Sequence, residues 1–405
     1  MKGATNHLTA GQRVAYYRRR RGISQTVLAG LIGKTTSWVE KIEAGRMPLD
    51  VLSNIAALAR ALDLSVYELL PDDIAEVDAS TRGRSVPALR ELVLSYRFVN
   101  PRLSGARAVP VELPALKAMV SDIWQAYQGA QFGYVVAKLQ HALPIAGVTV
   151  QQARPPADAE ARAQLAYLYQ VACSVLTKLG ELDLAMLCAD KGDTVIQGVD
   201  DLAAQISLQR TIAHALLSNA QYDDALAVID DAIRRVPHGR LDARVLSVVG
   251  TLHLVGAMAS ARSGNRTEAT SHLSHASAAA EAVGRDANYL WTSFGPTNVA
   301  MHRVSIAAEL GDYQQAAALG PVIDVTGMST ERRVRHQLEV ARAFHFRAKR
   351  DDALRMVLTA EAAAPEQVRR HFLTHALVPE WLRNKQMRPT PELHALAVRT
   401  GALPR

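Results

Sequence analysis

An all-α protein is predicted, with about five short helices in residues 1–70 and a solenoid of helix pairs filling most of the remainder of its 405 residues. Composition is the first reason: 49% of residues are hydrophobic and only 5% aromatic, and period-two runs of Val, Ile, Thr and Tyr are scarce. The same figures, with 21% charged residues, place the chain in the ordinary globular range and exclude disorder and disulfide-stapled scaffolds. The second reason is the punctuation of the first 70 residues, where brief amphipathic stretches end at glycines and restart at Ser or Thr. The third is a recurring helix opening, spaced by about forty residues, from position 180 onward.

The N-terminal helices follow one another closely. Gly11–Arg21 places Val14 and Tyr17 on one face and stops at Gly22. Ser24 caps a second helix carrying Val27, Leu28 and Leu31, which Gly33 ends; Thr35 caps a third, Thr36–Glu43, with Val39 and Ile42 inward. Pro48 opens a fourth through Leu52, Ile55, Leu58 and Leu62, and Ser65 caps a last turn, Val66–Leu70.

Charge concentrates in this segment. Residues 1–70 hold ten of the 46 bases and five of the 39 acids, a net +5 out of the chain's +7, so any polyanion-binding role belongs to the N-terminus. Two other readings of its basic motifs fail. Gly33-Lys34-Thr35 ends like a phosphate-binding loop, but Leu28 stands where that loop needs glycine and no strand precedes it. Arg18–Arg21 spreads around a helix instead of forming one stripe.

The run Arg18-x-x-x-Gly22-Ile23-Ser24-Gln25-x-x-Leu28-Ala29, followed by Gly33, Val39, Ile42-Glu43-x-Gly45 and Leu58-Ala59-x-Ala61-Leu62, resembles the Xre/Cro family of helix-turn-helix repressors. The resemblance implies a lambda-repressor-like domain over residues 1–70, with helix Thr36–Glu43 reading double-stranded operator DNA and Arg18 pairing with Glu43. Thr35 reads as a cap, and a helix opened there turns Thr36, Ser37 and Lys41 toward solvent as candidate readers. Gln25 is similar to the family's backbone-clamping glutamine, while Lys34 and Arg46 flank the reader as candidate phosphate contacts. Trp38 departs from the family, which usually places a small or polar residue there.

Residues 71–85 are polar, contain Gly83 and lack a sustained apolar period; they are expected to be a linker. In residues 86–405, Tyr222-x-x-Ala225-x-x-x-Ile229-x-x-Ala232-x-x-x-x-Pro237 fits half of a tetratricopeptide repeat, and Gly311-Asp312-Tyr313-x-x-Ala316 repeats its turn and opening. Weaker copies put small residues at Ala185, Ala269 and Ala353, where paired helices must approach closely. Outlying pairs over 86–143 and 367–403 are expected to cap the array. The combination resembles actinobacterial regulators that join an Xre-type head to tetratricopeptide-like repeats, and more distantly the peptide-sensing repressors of other Gram-positive bacteria; the segment Trp291–Val299 is similar to a recurring sequence in the former.

The first helix of each repeat lines the concave side of such arrays, and the register assigns Tyr167 and Gln170, Arg210 and His214, Leu254 and Met258, Asn298 and Met301, and Arg335 and Leu338 to it. Trp291 and Phe294 lie in a loop that either packs between repeats or faces a ligand. This mixed lining suits a small molecule or peptide effector. A homodimer is also expected, since one small head buries little DNA and two-fold proteins read inverted repeats. The competing reading is a tetratricopeptide adaptor that binds a partner protein while the head tethers it to DNA.

Catalysis finds no constellation. His214, His302 and Cys173 lack a nucleophile turn, a metal-ligand spacing or a local acid pair, so neither enzyme activity nor a cofactor or metal is expected. Cys173 and Cys188 are expected to be buried reduced thiols. The longest uncharged stretch, Val245–Ala261, reads as a buried helix, and the opening residues lack the apolar segment of a signal peptide, so a cytoplasmic protein without a membrane span is expected.

Overall fold

The computed structural model describes residues 8–47, 49, 52–62, 64, 69, 79–94, 108–384 and 390–403. The protein is all-α; among the described residues the nearest approach to a sheet is one antiparallel bridge between Ala287 and Phe294. Among the described residues the N-terminal helices are α1 (Ala10–Arg20), α2 (Gln25–Leu31), α3 (Thr36–Glu43) and α4 (Leu52–Leu62). Ser24 accepts the Val27 amide at 3.1 Å and Thr35 accepts the Trp38 amide at 3.2 Å, so both expected caps close their helices. Thr9 and Gln12 form a reciprocal capping box on α1. Val14, Leu28, Val39, Ile42, Ile55, Leu58 and Leu62 make the core. A Cβ at Gly11 would stand 2.0 Å from the Ile42 carbonyl oxygen, so α1 crosses α3 at a distance only glycine permits.

Two N-terminal expectations need adjustment. Val27 and Leu31 are 49% and 62% exposed, because the seven-residue α2 turns only its Leu28 and Ala29 edge inward. Pro48, Ser65, Val66 and Leu70 lie outside the described residues. Residues 71–78 do also, and α5 (Ala79–Leu94) is helical where the end of the linker was expected.

The remaining helices run in pairs: α6 (Leu113–Gln128) with α7 (Phe132–Gln152), α8 (Ala157–Leu179) with α9 (Leu182–Ile196), α10 (Leu202–Ser218) with α11 (Tyr222–Arg234), and α12 (Ala243–Arg262) with α13 (Arg266–Val283). Then come α14 (Pro296–Glu309) and α15 (Tyr313–Leu319), α16 (Thr330–Phe346) and α17 (Arg350–Ala363), the short α18 (Pro365–Arg370), and α19 (Phe372–Arg383) with α20 (Pro391–Arg399). Ala185, Ala225, Ala269, Ala316 and Ala353 are all 0% exposed, as close helix approach requires. Helix α12 is long and apolar enough to cross a membrane, but 78% of its most apolar window is buried in the protein, which makes it a core helix of the array.

The chain folds as two compact units, one of residues 1–79, 307–321 and 334–405, the other of residues 80–306 and 322–333. In the first, Arg342 is fully buried and donates to Glu309 at 2.8 Å. In the second, Phe294 packs with Leu254, Ala276, Ala279, Ala280 and Val299. A Cβ at Gly250 would stand 2.0 Å from the Phe294 ring, so the glycine makes room for the aromatic.

Candidate functional site

Helix α3 is anchored from behind. Arg18 Nε donates to Glu43 Oε1 at 2.6 Å and its Nη2 to Oε2 at 2.9 Å, a planar two-bond fork that raises the Arg18 pKa through that hydrogen bond. Gln25 Nε2 donates to the same carboxylate at 2.8 Å. The pairing of Arg18 with Glu43 is therefore present, whereas the Gln25 amide is directed into the bundle, because Glu43 offers it a charged acceptor close by.

On the opposite side, Ser37 and Lys41 are exposed, as are Lys34, Thr35 and Arg46. Thr36 is half-buried with its hydroxyl 3.4 Å from that of Thr26, and Trp38 is half-buried with the Lys34 ammonium 5.8 Å from its ring centroid. One helix thus presents a hydroxyl, an ammonium and a capped N-terminus to solvent, flanked by two further cations. This arrangement suits a polyanion with readable edges.

The expected effector residues divide by burial. Leu254, Met258, Phe294, Met301 and Leu338 are at most 5% exposed and pack between helices, so they do not line a groove. Gln170 is fully buried, its amide donating to the Ser207 carbonyl, the Ser207 hydroxyl and Thr211, which ties α8 to α10. Asn298, also fully buried, donates to the Ser293 carbonyl at 2.8 Å. His214 and Arg335 are half-buried, and Arg335 and Leu338 belong to the other unit.

The Trp291 loop packs between helices. Trp291 stacks on Trp124 at 4.8 Å with 6° between planes and meets the edge of Tyr167 at 5.2 Å, while Phe294 goes to the core. Leu290, Trp291 and Ser293 all have positive φ, a strained course that Gln128 holds through bonds to Asn288 (3.0 Å), the Trp291 carbonyl (3.3 Å) and Ser293 (3.2 Å). Nothing in sequence pointed to Gln128, whose partners are some 160 residues away.

Arg210 is the most unusual member of the set. It is 8% exposed, and among the described residues its Nε has no hydrogen-bond partner and no carboxylate acts on its charge. Burial pushes its pKa down to about 10, Arg332 pushes the same way, and Tyr127 and Cys173 oppose. Glu331, which precedes Arg332 in sequence, is engaged by Lys178 at 2.6 Å and by Arg332 at 3.8 Å. Cys173 is itself a buried free thiol whose pKa burial raises to about 12, and Cys188 is buried and free as well.

Residues 10–70 match a family model described as a helix-turn-helix domain. Among solved structures, PlcR of Bacillus thuringiensis, in its complex with the peptide PapR7 and DNA, is similar at 13% identity and a TM-score of 0.38, over 79% of this chain and 96% of that chain. No curated protein matches.

Proposed function

We propose that this protein is a sequence-specific, Xre-type DNA-binding transcriptional regulator of the cytoplasm, non-catalytic, and active as a homodimer. The observation that carries the reading is the solvent-facing Ser37 and Lys41 on an anchored, capped helix within the segment that matches a helix-turn-helix domain. Lys34 and Arg46 beside that helix supply sequence-independent attraction to phosphates.

The tetratricopeptide-like pairs serve as the sensing part. Support comes from Arg210: an arginine buried with no acid partner among the described residues is costly unless something neutralises it, and an acidic group on a small molecule or peptide would do so. The half-buried Trp291 adds aromatic surface in the same unit.

Selection of binding sites from random duplex, followed by titration at fixed salt, tests the DNA reading. Ser37→Ala should weaken the selected site by about 1–3 kcal/mol and leave scrambled duplex unchanged, while Lys34→Ala should weaken both and lower the salt slope by about one. Equal affinity of the wild type for selected and scrambled duplex rejects sequence-specific regulation. Light scattering that shows a monomer both free and on the selected site rejects the dimer.

A further inference from the structure

The basic surface at the end of α3 does not stop at the N-terminal segment. Within the first unit, helix α19 comes up against the exit of α3. Gly45, which follows α3 with φ of 66°, is exposed, and Nη1 of Arg383 lies 3.8 Å from where a Cβ would stand on it. Ile42 and Met47 on one side and Pro379 and Arg383 on the other line one cavity, so a packed contact between the two elements holds the arginine there.

Arg383 has no task inside the fold. It is exposed and forms no hydrogen bond or ion pair among the described residues. The acids that could take it are turned elsewhere: Glu380, three residues earlier on α19, lies 3.1 Å from His345, and Glu43 is held by Arg18 and Gln25. No acidic residue lines the cavity. Nor is the guanidinium needed to cap α3. The Arg46 amide donates to the Lys41 carbonyl at 2.8 Å and the Gly45 amide to the Ile42 carbonyl at 3.0 Å, the two bonds of a helix C-terminus closed by a left-handed glycine.

Its exposed neighbours share its sign. Lys41 and Arg46 are exposed, and the backbone bond between them places both at the end of α3 that Arg383 approaches. Three cations there stand against one exposed acid of α3, Glu40. Duplex DNA carries one negative charge per about 1.7 Å of its axis, so a cation fixed beside a helix that lies on the duplex meets phosphate whatever the base sequence.

We propose that Arg383 is a contact to the DNA backbone, which makes α19 part of the same duplex-binding surface as α3. The inference rests on the DNA-binding reading above and extends it to a helix far outside the segment that matches a helix-turn-helix domain. One contact comes from the N-terminal segment and the other from the C-terminal helices. Duplex therefore binds best when the two are packed together, and DNA binding and that packing favour each other.

Titration of the full chain with a duplex selected from random sequence and with scrambled duplex, at 50 and 200 mM salt, tests the contact. One lost phosphate contact lowers the salt slope by about 0.9, so Arg383→Gln should weaken both duplexes alike, by about tenfold at 50 mM and about threefold at 200 mM. Arg383→Lys keeps the charge and should restore most of the affinity together with the slope. Arg355→Gln, which removes an exposed cation of α17 in the same unit, should change neither. An unchanged salt slope in Arg383→Gln overturns the proposal. So does a loss of affinity that Arg383→Lys fails to restore, since that assigns the side chain to the packing of α19 against α3. If Lys34→Ala lowers the slope and Arg383→Gln does not, the DNA-binding reading stands and the α19 contact falls; if the wild type binds neither duplex, both fall.

Discussion

Replacing Glu43 by glutamine should loosen helix α3 while leaving every one of its solvent-facing side chains in place. Glu43 accepts two bonds from Arg18 and one from Gln25, with side-chain exposures of 10% for Arg18 and 5% for Glu43. Breaking a buried ion pair by removing one partner costs about 3–5 kcal/mol. Glutamine keeps the shape and one acceptor, and Arg18 retains its 2.9 Å bond to the Ile23 carbonyl, which together lower the expected loss to about 2–3 kcal/mol. A loss of that size is a large fraction of what a segment of some sixty residues possesses. Amide hydrogen exchange resolved over residues 36–43 of the full chain should rise by a factor of about 30 to 150, because 1.4 kcal/mol is a tenfold change in the opening equilibrium. The double variant Arg18→Met, Glu43→Leu should protect these amides better than Glu43→Gln, since it leaves no charge stranded. Exchange unchanged within a factor of two in Glu43→Gln would mean that packing of Val39 and Ile42 alone holds α3.

Three further outcomes are expected. His253 faces His272 at 3.0 Å and stacks on His275, and burial followed by those two rings pushes its pKa down to about 3; its contribution to stability is full above the ordinary histidine range near 6.5 and is lost as pH falls toward 3, by about 1.4 kcal/mol per pH unit for one proton. Asp230 and Glu268 act on the same cluster through His272, so the test is a pH series of melting temperatures in which His253→Gln should flatten the acid limb; an identical limb rejects the assignment. Gly250→Ala should destabilise by about 1–3 kcal/mol through overpacking against Phe294, with recovery in a Gly250→Ala, Phe294→Leu double variant, and a melting temperature equal to the wild type would refute the close approach. Arg210→Met should raise stability by about 1–3 kcal/mol in a denaturant melt, since it removes a buried cation without an acid partner, and should lose the response to an acidic effector; destabilisation would mean that the charge is satisfied within the fold.

Local chemistry was open to reading from the order of residues. The caps at Ser24 and Thr35 bond to amides three residues ahead, and the alanines at 185, 225, 269, 316 and 353 recur with the helix pairs, so pattern and spacing located both. The fold class followed from these. The Arg18–Glu43 fork came by resemblance, its partners being 25 residues apart with nothing local to join them.

Tertiary structure decided which way side chains face. Gln25 stands at the start of a helix where solvent or interior is equally accessible, and only the position of Glu43 turns it inward. Repeat register turned Leu254, Met258, Met301 and Leu338 toward a groove, yet all four are buried, because the first helix of each pair is covered by neighbours on most sides and hydrophobic period then carries little directional information. The loop held by Gln128 and the placement of Arg210 near Arg332 each join residues more than a hundred positions apart. Contacts of that kind depend on how whole helices stack, and a stretch of sequence that specifies one helix well leaves its distant neighbours unspecified.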